Sequence, residues 1–366
     1  MHLHHTTPRA TSGRTDAARP RRSSAPLLAG VLVALLAACG TPTAVDGADM
    51  SGATTGVVHV ASDIPIDPLS PTPVPDLPVT VRSVDGVDVT IDDASRILAV
   101  DLYGTLAETV FSLGLGANVV GRDTSTGFPE AAALPLVTVG GHSLSAEAVL
   151  DLDPTVVLTD TTIGPPEVLA QLRDAGIPVV FFDPTRTLDG IGDQIEAVAA
   201  ALGVPAAGRA LAARTTADID AATSRATAVP TSADAAPRVA FLYLRGSAVA
   251  LLGGPGSGAD ELVAAVGGID AGTEAGLERP FTQITSEALV SAAPDVLLLL
   301  EGGLASVDGV DGLLAVPGIA QTPAGENRAV VTAADTNLLT FGPRTGATLR
   351  ALADAVHEAD ARTAGA

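Results

Sequence analysis

The chain has no lysine, so a phosphate-binding loop of the G-x-x-x-x-G-K type is excluded, and "GGPGSG" at 253–258 reads as a flexible loop instead. Cysteine occurs once, at Cys39, which rules out an intramolecular disulfide. Positive charge is scarce. From Cys39 onward, 41 acidic residues (42 less Asp16) face 15 arginines (20 less five in the leader), an excess of 26 negative charges that repels nucleic acid. No G-x-S-x-G or H-E-x-x-H pattern occurs and His142 has no obvious carboxylate relay in sequence, so the chain does not read as an enzyme. The apolar run "APLLAGVLVALLAACG" is too short to span a bilayer. Tryptophan is missing, and there are two tyrosines, Tyr103 and Tyr243. The second stands in "FLYLRGS", with Arg245 two residues on, and asks for a reason.

What is present begins with a leader. Arg14, Arg19, Arg21 and Arg22 precede the apolar run, which ends in small residues, so 1–38 reads as a secretory signal peptide. "RPRRSS" leaves Sec and twin-arginine export both open. "LAAC" resembles the lipobox of bacterial lipoproteins, which implies acylation of Cys39 after cleavage and a lipid anchor on the outer face of the cell membrane. Residues 39–78, with "DIPIDPLSPTPVPDLP", lack hydrophobic periodicity and read as a disordered tether.

From Val79 on, short β-branched runs alternate with Ala/Leu-rich amphipathic stretches: "RILAVDL", "LAETVFSLGL", "PTVVLTD", "PPEVLAQLRDAG", "IPVVFF". That grammar indicates βα units and parallel pairing. It returns after residue 237. "LSAEAVLDLDPTVVL" (144–158) lies over "ITSEALVSAAPDVLL" (284–298) at an offset of 140, and "RILAVDLYG" (96–104) over "RVAFLYLRG" (238–246) at an offset of 142. "LAETVFSLG" (106–114) lies over "ADELVAAVG" (259–267), which places Glu108 and Glu261 each six residues before a glycine. Three matches in one order indicate a duplicated unit. Between the copies, "AAGRALAARTTADIDAATSRATA" reads as one long helix. The expected architecture is α/β: two Rossmann-like lobes with mainly parallel sheets at 79–205 and 237–366, joined by a long α-helix at 206–229. The ligand cleft lies between the lobes, where open sheets present the C-terminal ends of their strands.

Over residues 80–360 the chain resembles the substrate-binding lipoproteins of ABC importers in the helical-backbone class, which serve siderophores, cobalamin and heme. The resemblance rests on "AETVFSLGLGANVVGRD", "SAEAVLDLDPTVVLTD" and its repeat, "GADELVAAVGGIDAG" and "LLTFGPRTGATLRALADAV". Through "VGGHSLSAEAVL", "LTDTTIGPPEV", "LYLRGS" and "VPGIAQTPAG" it is most similar to the hemin-binding lipoproteins of the HmuT type. The resemblance implies that ferric heme b is the carried ligand, that His142 and Tyr243 ligate its iron, and that Arg245 hydrogen-bonds Tyr243. It also implies an ABC permease dimer with its ATPase as partner, which Glu108 and Glu261 would meet from the crest of each lobe, and a monomeric receptor.

The residues themselves point to the same atoms. Of six histidines, three lie in the leader, His59 in the tether and His357 on the last helix, which leaves His142 for a cleft. Side chains two apart in a strand share a face, so Arg245 joins Tyr243. A phenol must lose its proton to bind iron, and a guanidinium beside it stabilises the anion. The plainer readings are a half-buried packing tyrosine and a histidine that merely precedes a helix beginning at Leu144. Tyr103, which falls on Arg245 in the internal alignment, either stacks on the ligand or lines the cleft; Phe281 and Phe341 pack either on a porphyrin or in the core. The rival is a ferric-siderophore or cobalamin receptor on the same fold, for which Arg122, Arg186, Arg279 and Arg344 are candidate cleft cations.

Overall fold

The computed structural model describes residues 56–62, 64–228, 236–246 and 248–364. The signal peptide and Cys39 lie outside the described residues. The N-terminal lobe is built on a four-stranded, all-parallel sheet in the order Val119–Gly121, Ile97–Val100, Val156–Thr159, Val179–Phe181. Its two central strands, "ILAV" and "VVLT", are buried at every position, as expected where helices cover both faces of a parallel sheet. The C-terminal lobe has a seven-stranded mixed sheet. Val330–Ala333, Val296–Leu300 and Arg238–Arg245 run parallel, and Val249–Gly253 and Phe281–Gln283 extend the sheet antiparallel.

The duplication is visible down to its caps. Ser145 and Thr285, aligned at the offset of 140, each begin a helix by accepting a hydrogen bond from the N–H three residues on, at Ala148 and Ala288. The helices end the same way: Asp153 and Ala293, both directly before a proline, have φ of 44° and 40°.

The long helix spans Pro205–Ala228 and packs between helix Ile191–Ala201 of the first lobe and helix Thr345–Ala364 of the second. Gly208 permits the first contact, since a Cβ there would lie 2.4 Å from that of Ala199.

The tether ends sooner than the sequence suggests. Val57–His59 forms the edge strand of the C-terminal lobe's sheet, parallel to Val330–Ala333. The chain then passes Arg344 of the same lobe, which donates to Ile64 O, and Arg214 of the long helix, which pairs with Asp67 at 3.0 Å, before reaching the N-terminal lobe, where Leu69 N donates to Ser112 O and Asp76 N to Gly203 O. Residues 57–62 and 64–78 are therefore an ordered strap, and the expected disordered tether is corrected over them. A proline-rich segment makes few hydrogen bonds with itself, so its order comes from borrowed partners and leaves no periodicity to read.

Candidate functional site

The cleft between the lobes contains a cavity of about 430 Å³ onto which Tyr103, His142, Tyr243, Arg245 and Phe281 all open. It is of the size and apolar character of ordinary ligand sites. His142 arrives on a hairpin, not at a helix start. Thr138–Val139 pairs antiparallel with Ser143–Leu144, and Gly140 and Gly141 turn the chain with φ of 57° and 101°. The Thr124 hydroxyl donates to Gly141 O at 2.6 Å and pins that turn. Partial burial, and then the charge of Arg245, push the His142 pKa down, which keeps its imidazole neutral and able to donate a lone pair.

Tyr243 comes from the opposite lobe, near the C-terminal end of Arg238–Arg245. Its ring meets Phe281 edge to face, with centroids 6.2 Å apart, and the Arg245 guanidinium lies 4.6 Å from its centroid. Arg245 does not hydrogen-bond the phenol here as expected; it donates to Leu244 O at 3.0 Å and to Asp335 Oδ1 at 3.1 Å. The strand places Arg245 beside Tyr243, but a carboxylate is a stronger acceptor for a guanidinium than a phenol, and Asp335 stands within reach.

Asp335 is a cleft residue that the sequence reading did not name. It follows strand Val330–Ala333, where a strand-end rule would have found it, and Gly302 N holds its second oxygen at 2.8 Å. The same rule would have found Asp101 and Asp160, each directly after an N-lobe strand, and Asp123 two residues after another. All three are fully buried. Asp101 accepts from Tyr103 N, Thr105 N and Leu106 N; Asp123 accepts from Asp101 N and Thr126; Asp160 from Thr162. Burial, then the charge of Asp160, raises the Asp101 pKa, and burial, then Asp101, pushes Asp123 up to about 7.

Glu108 turns inward, and its expected docking role on a lobe crest is corrected. Glu108 is 1% exposed and pairs at 2.7 Å with Arg344 of the other lobe, whose backbone N–H it also accepts. Glu261 accepts from Leu188 N across the lobes at 2.6 Å. Glu108 cannot meet a partner's arginine without abandoning a buried cation. Phe341, also named from the sequence, is buried but opens onto a second interlobe cavity of about 370 Å³, which shares Tyr103, Phe281 and Leu339 with the first.

Three comparisons place the chain among known proteins. A family model described as periplasmic binding protein matches residues 100–336. In structure, the chain is similar to a heme binding protein, HmuT, with a TM-score of 0.77 at 39% identity, covering 82% of this chain and 97% of that one. It is also similar to the periplasmic heme-binding protein RhuT from Roseiflexus sp. RS-1, with a TM-score of 0.68 at 43% identity, covering 73% and 100%. In sequence, it is 31% identical over 224 residues to a cobalamin-binding protein of Halobacterium salinarum, covering 60% of this chain and 58% of that protein, less than two thirds of its length.

Proposed function

Because the chain belongs to the periplasmic binding protein family, we propose that it is an extracytoplasmic receptor that binds one ferric heme between its lobes, with His142 and Tyr243 as axial ligands. The observation that carries this reading is the meeting of the His142 imidazole and the Tyr243 phenol, from opposite copies of the repeat, in a single apolar cavity. Two facing donors suit an iron whose other four positions are filled by a macrocycle, and a phenolate suits ferric iron. Similarity to two heme-binding proteins over nearly their whole length supports it. The heme passes to an ABC permease, and Cys39 carries the lipid that keeps the receptor at the membrane. Among the described residues no helix is long and apolar enough to cross a membrane.

The cobalamin-binding relative gives the second reading its weight. A ferric-siderophore reading needs cationic side chains turned to an anionic ligand. Arg344 is spent on Glu108, Arg186 on Asp101 and Asp160, Arg122 donates to Asp123 O, and Arg279 is exposed and lines neither interlobe cavity, which favours heme. Tyrosine emission separates these readings, since both tyrosines line the cleft and the chain has no tryptophan. Hemin should quench that emission at one equivalent, and cyanocobalamin in excess should not displace it. Quenching by cyanocobalamin with none by hemin would reverse the assignment.

A further inference from the structure

On one side of the cavity the Tyr103 ring is covered by the guanidinium of Arg186, whose central carbon lies 3.5 Å from the ring centroid. That is a stack at van der Waals distance, closer than the other three guanidinium–ring contacts in the described residues. Arg186 has little freedom to leave it. Its side chain is 12% exposed, one terminal nitrogen reaches Asp101 Oδ2 at 3.3 Å and Asp160 Oδ2 at 3.5 Å, and the other donates to Pro184 O at 2.7 Å. Asp101 and Asp160 are themselves fixed by backbone N–H groups of the loops that follow their strands. A guanidinium is planar, so once its edge is held by carboxylates its face has a fixed orientation, and the face it offers lies against Tyr103.

We infer that Arg186 is a positioning residue: anchored by Asp101 and Asp160, it clamps the Tyr103 ring as a rigid aromatic wall against which a planar ligand stacks. The inference rests on the heme reading and deepens it. Two features separate it from a merely structural ion cluster. Asp101 and Asp160 already have backbone donors, so what they need from residue 186 is a positive charge, which a lysine would supply without a planar face. Tyr103 opens onto both interlobe cavities, so its ring would have room to turn on those sides were it not backed by Arg186. A ring fixed before the ligand arrives loses no rotamer freedom on binding.

A double-mutant cycle on hemin affinity, read by Soret absorbance on the purified protein, tests this. Arg186→Lys keeps a cation beside Asp101 and Asp160 but has no planar face, and Tyr103→Leu removes the ring. Each alone should weaken hemin binding about three- to tenfold, the range of an aromatic contact, and the double variant should lose no more than the worse single. Tyr103→Phe, which keeps the ring, should lose less affinity than Tyr103→Leu. In a Tyr243→Phe background, where Tyr103 is the one tyrosine left, Arg186→Lys should also diminish the near-ultraviolet circular dichroism of the ligand-free protein. Additive losses, or parental affinity in both single variants, would overturn the inference while leaving the heme reading intact. Should Arg186→Lys fail to fold, equal losses in Tyr103→Phe and Tyr103→Leu would overturn it. A parent that takes up no hemin would overturn both.

Discussion

Each wall of the cleft carries a tyrosine with a guanidinium over its ring, at 3.5 Å for Tyr103 with Arg186 and 4.6 Å for Tyr243 with Arg245, yet the two arginines are held differently. Arg186 is bound by two buried aspartates inside one lobe. Arg245 has a single carboxylate partner, Asp335, and the two side chains are 42% and 37% exposed. An ion pair so open to water contributes at most about 1 kcal/mol, whereas a buried one cannot be broken without stranding a charge. The N-terminal wall is therefore built before the ligand arrives. The C-terminal wall can regroup, and if Tyr243 binds iron as proposed, Arg245 is free to exchange Asp335 for the phenolate.

The sharpest way to break this contrast is to cut the most buried of the pairs. Glu108→Ala removes the partner of Arg344, which is 8% exposed, and should lower the unfolding free energy by about 3–5 kcal/mol. Urea unfolding reads it, and a loss below about 1 kcal/mol would mean that the interlobe pair is not held as described. Arg245→Leu comes next and acts on ligand rather than fold. It should weaken hemin binding about tenfold at pH 8, equivalent to about 1.4 kcal/mol. The loss should deepen in acid for a reason of sign. Ligation needs neutral His142, whose pKa burial and the Arg245 charge hold below 6.5. Without Arg245 that pKa rises toward its ordinary value, so protons compete at a higher pH and the extra loss appears as pH falls through about 6. Affinity curves of parent and variant that stay parallel between about pH 5.5 and 8 would remove Arg245 from the site's electrostatics. Asp335→Asn should have the smallest effect, under about 1 kcal/mol on unfolding, with hemin affinity kept. A drop in affinity of more than about tenfold would show that the C-terminal wall is as fixed as its counterpart.

The sequence carries the duplicated half of the architecture well, because repeats, strand ends and a long glycine-poor helix are local signals. His142, Tyr243 and Arg245 were legible for the same reason, each beside a strand or turn with its own signature. Pairings between distant residues were not legible. Glu108 reads as a surface carboxylate on an amphipathic helix until Arg344, 236 positions away, closes on it. The strap escaped notice because its backbone groups find their partners on both lobes. Arg186 was named only as a cation for a rival ligand, since the aspartates that fix it lie on the loops after two other strands.

The central claim is that ferric heme lies between His142 and Tyr243, and the absorption spectrum of the hemin complex tests it most directly. The parent should show the charge-transfer band of a phenolate bound to ferric heme, and Tyr243→Ala should lose that band while His142 retains the heme. An identical spectrum in the Tyr243→Ala variant would contradict the account, because the iron would then be held by atoms other than those that the two lobes bring together.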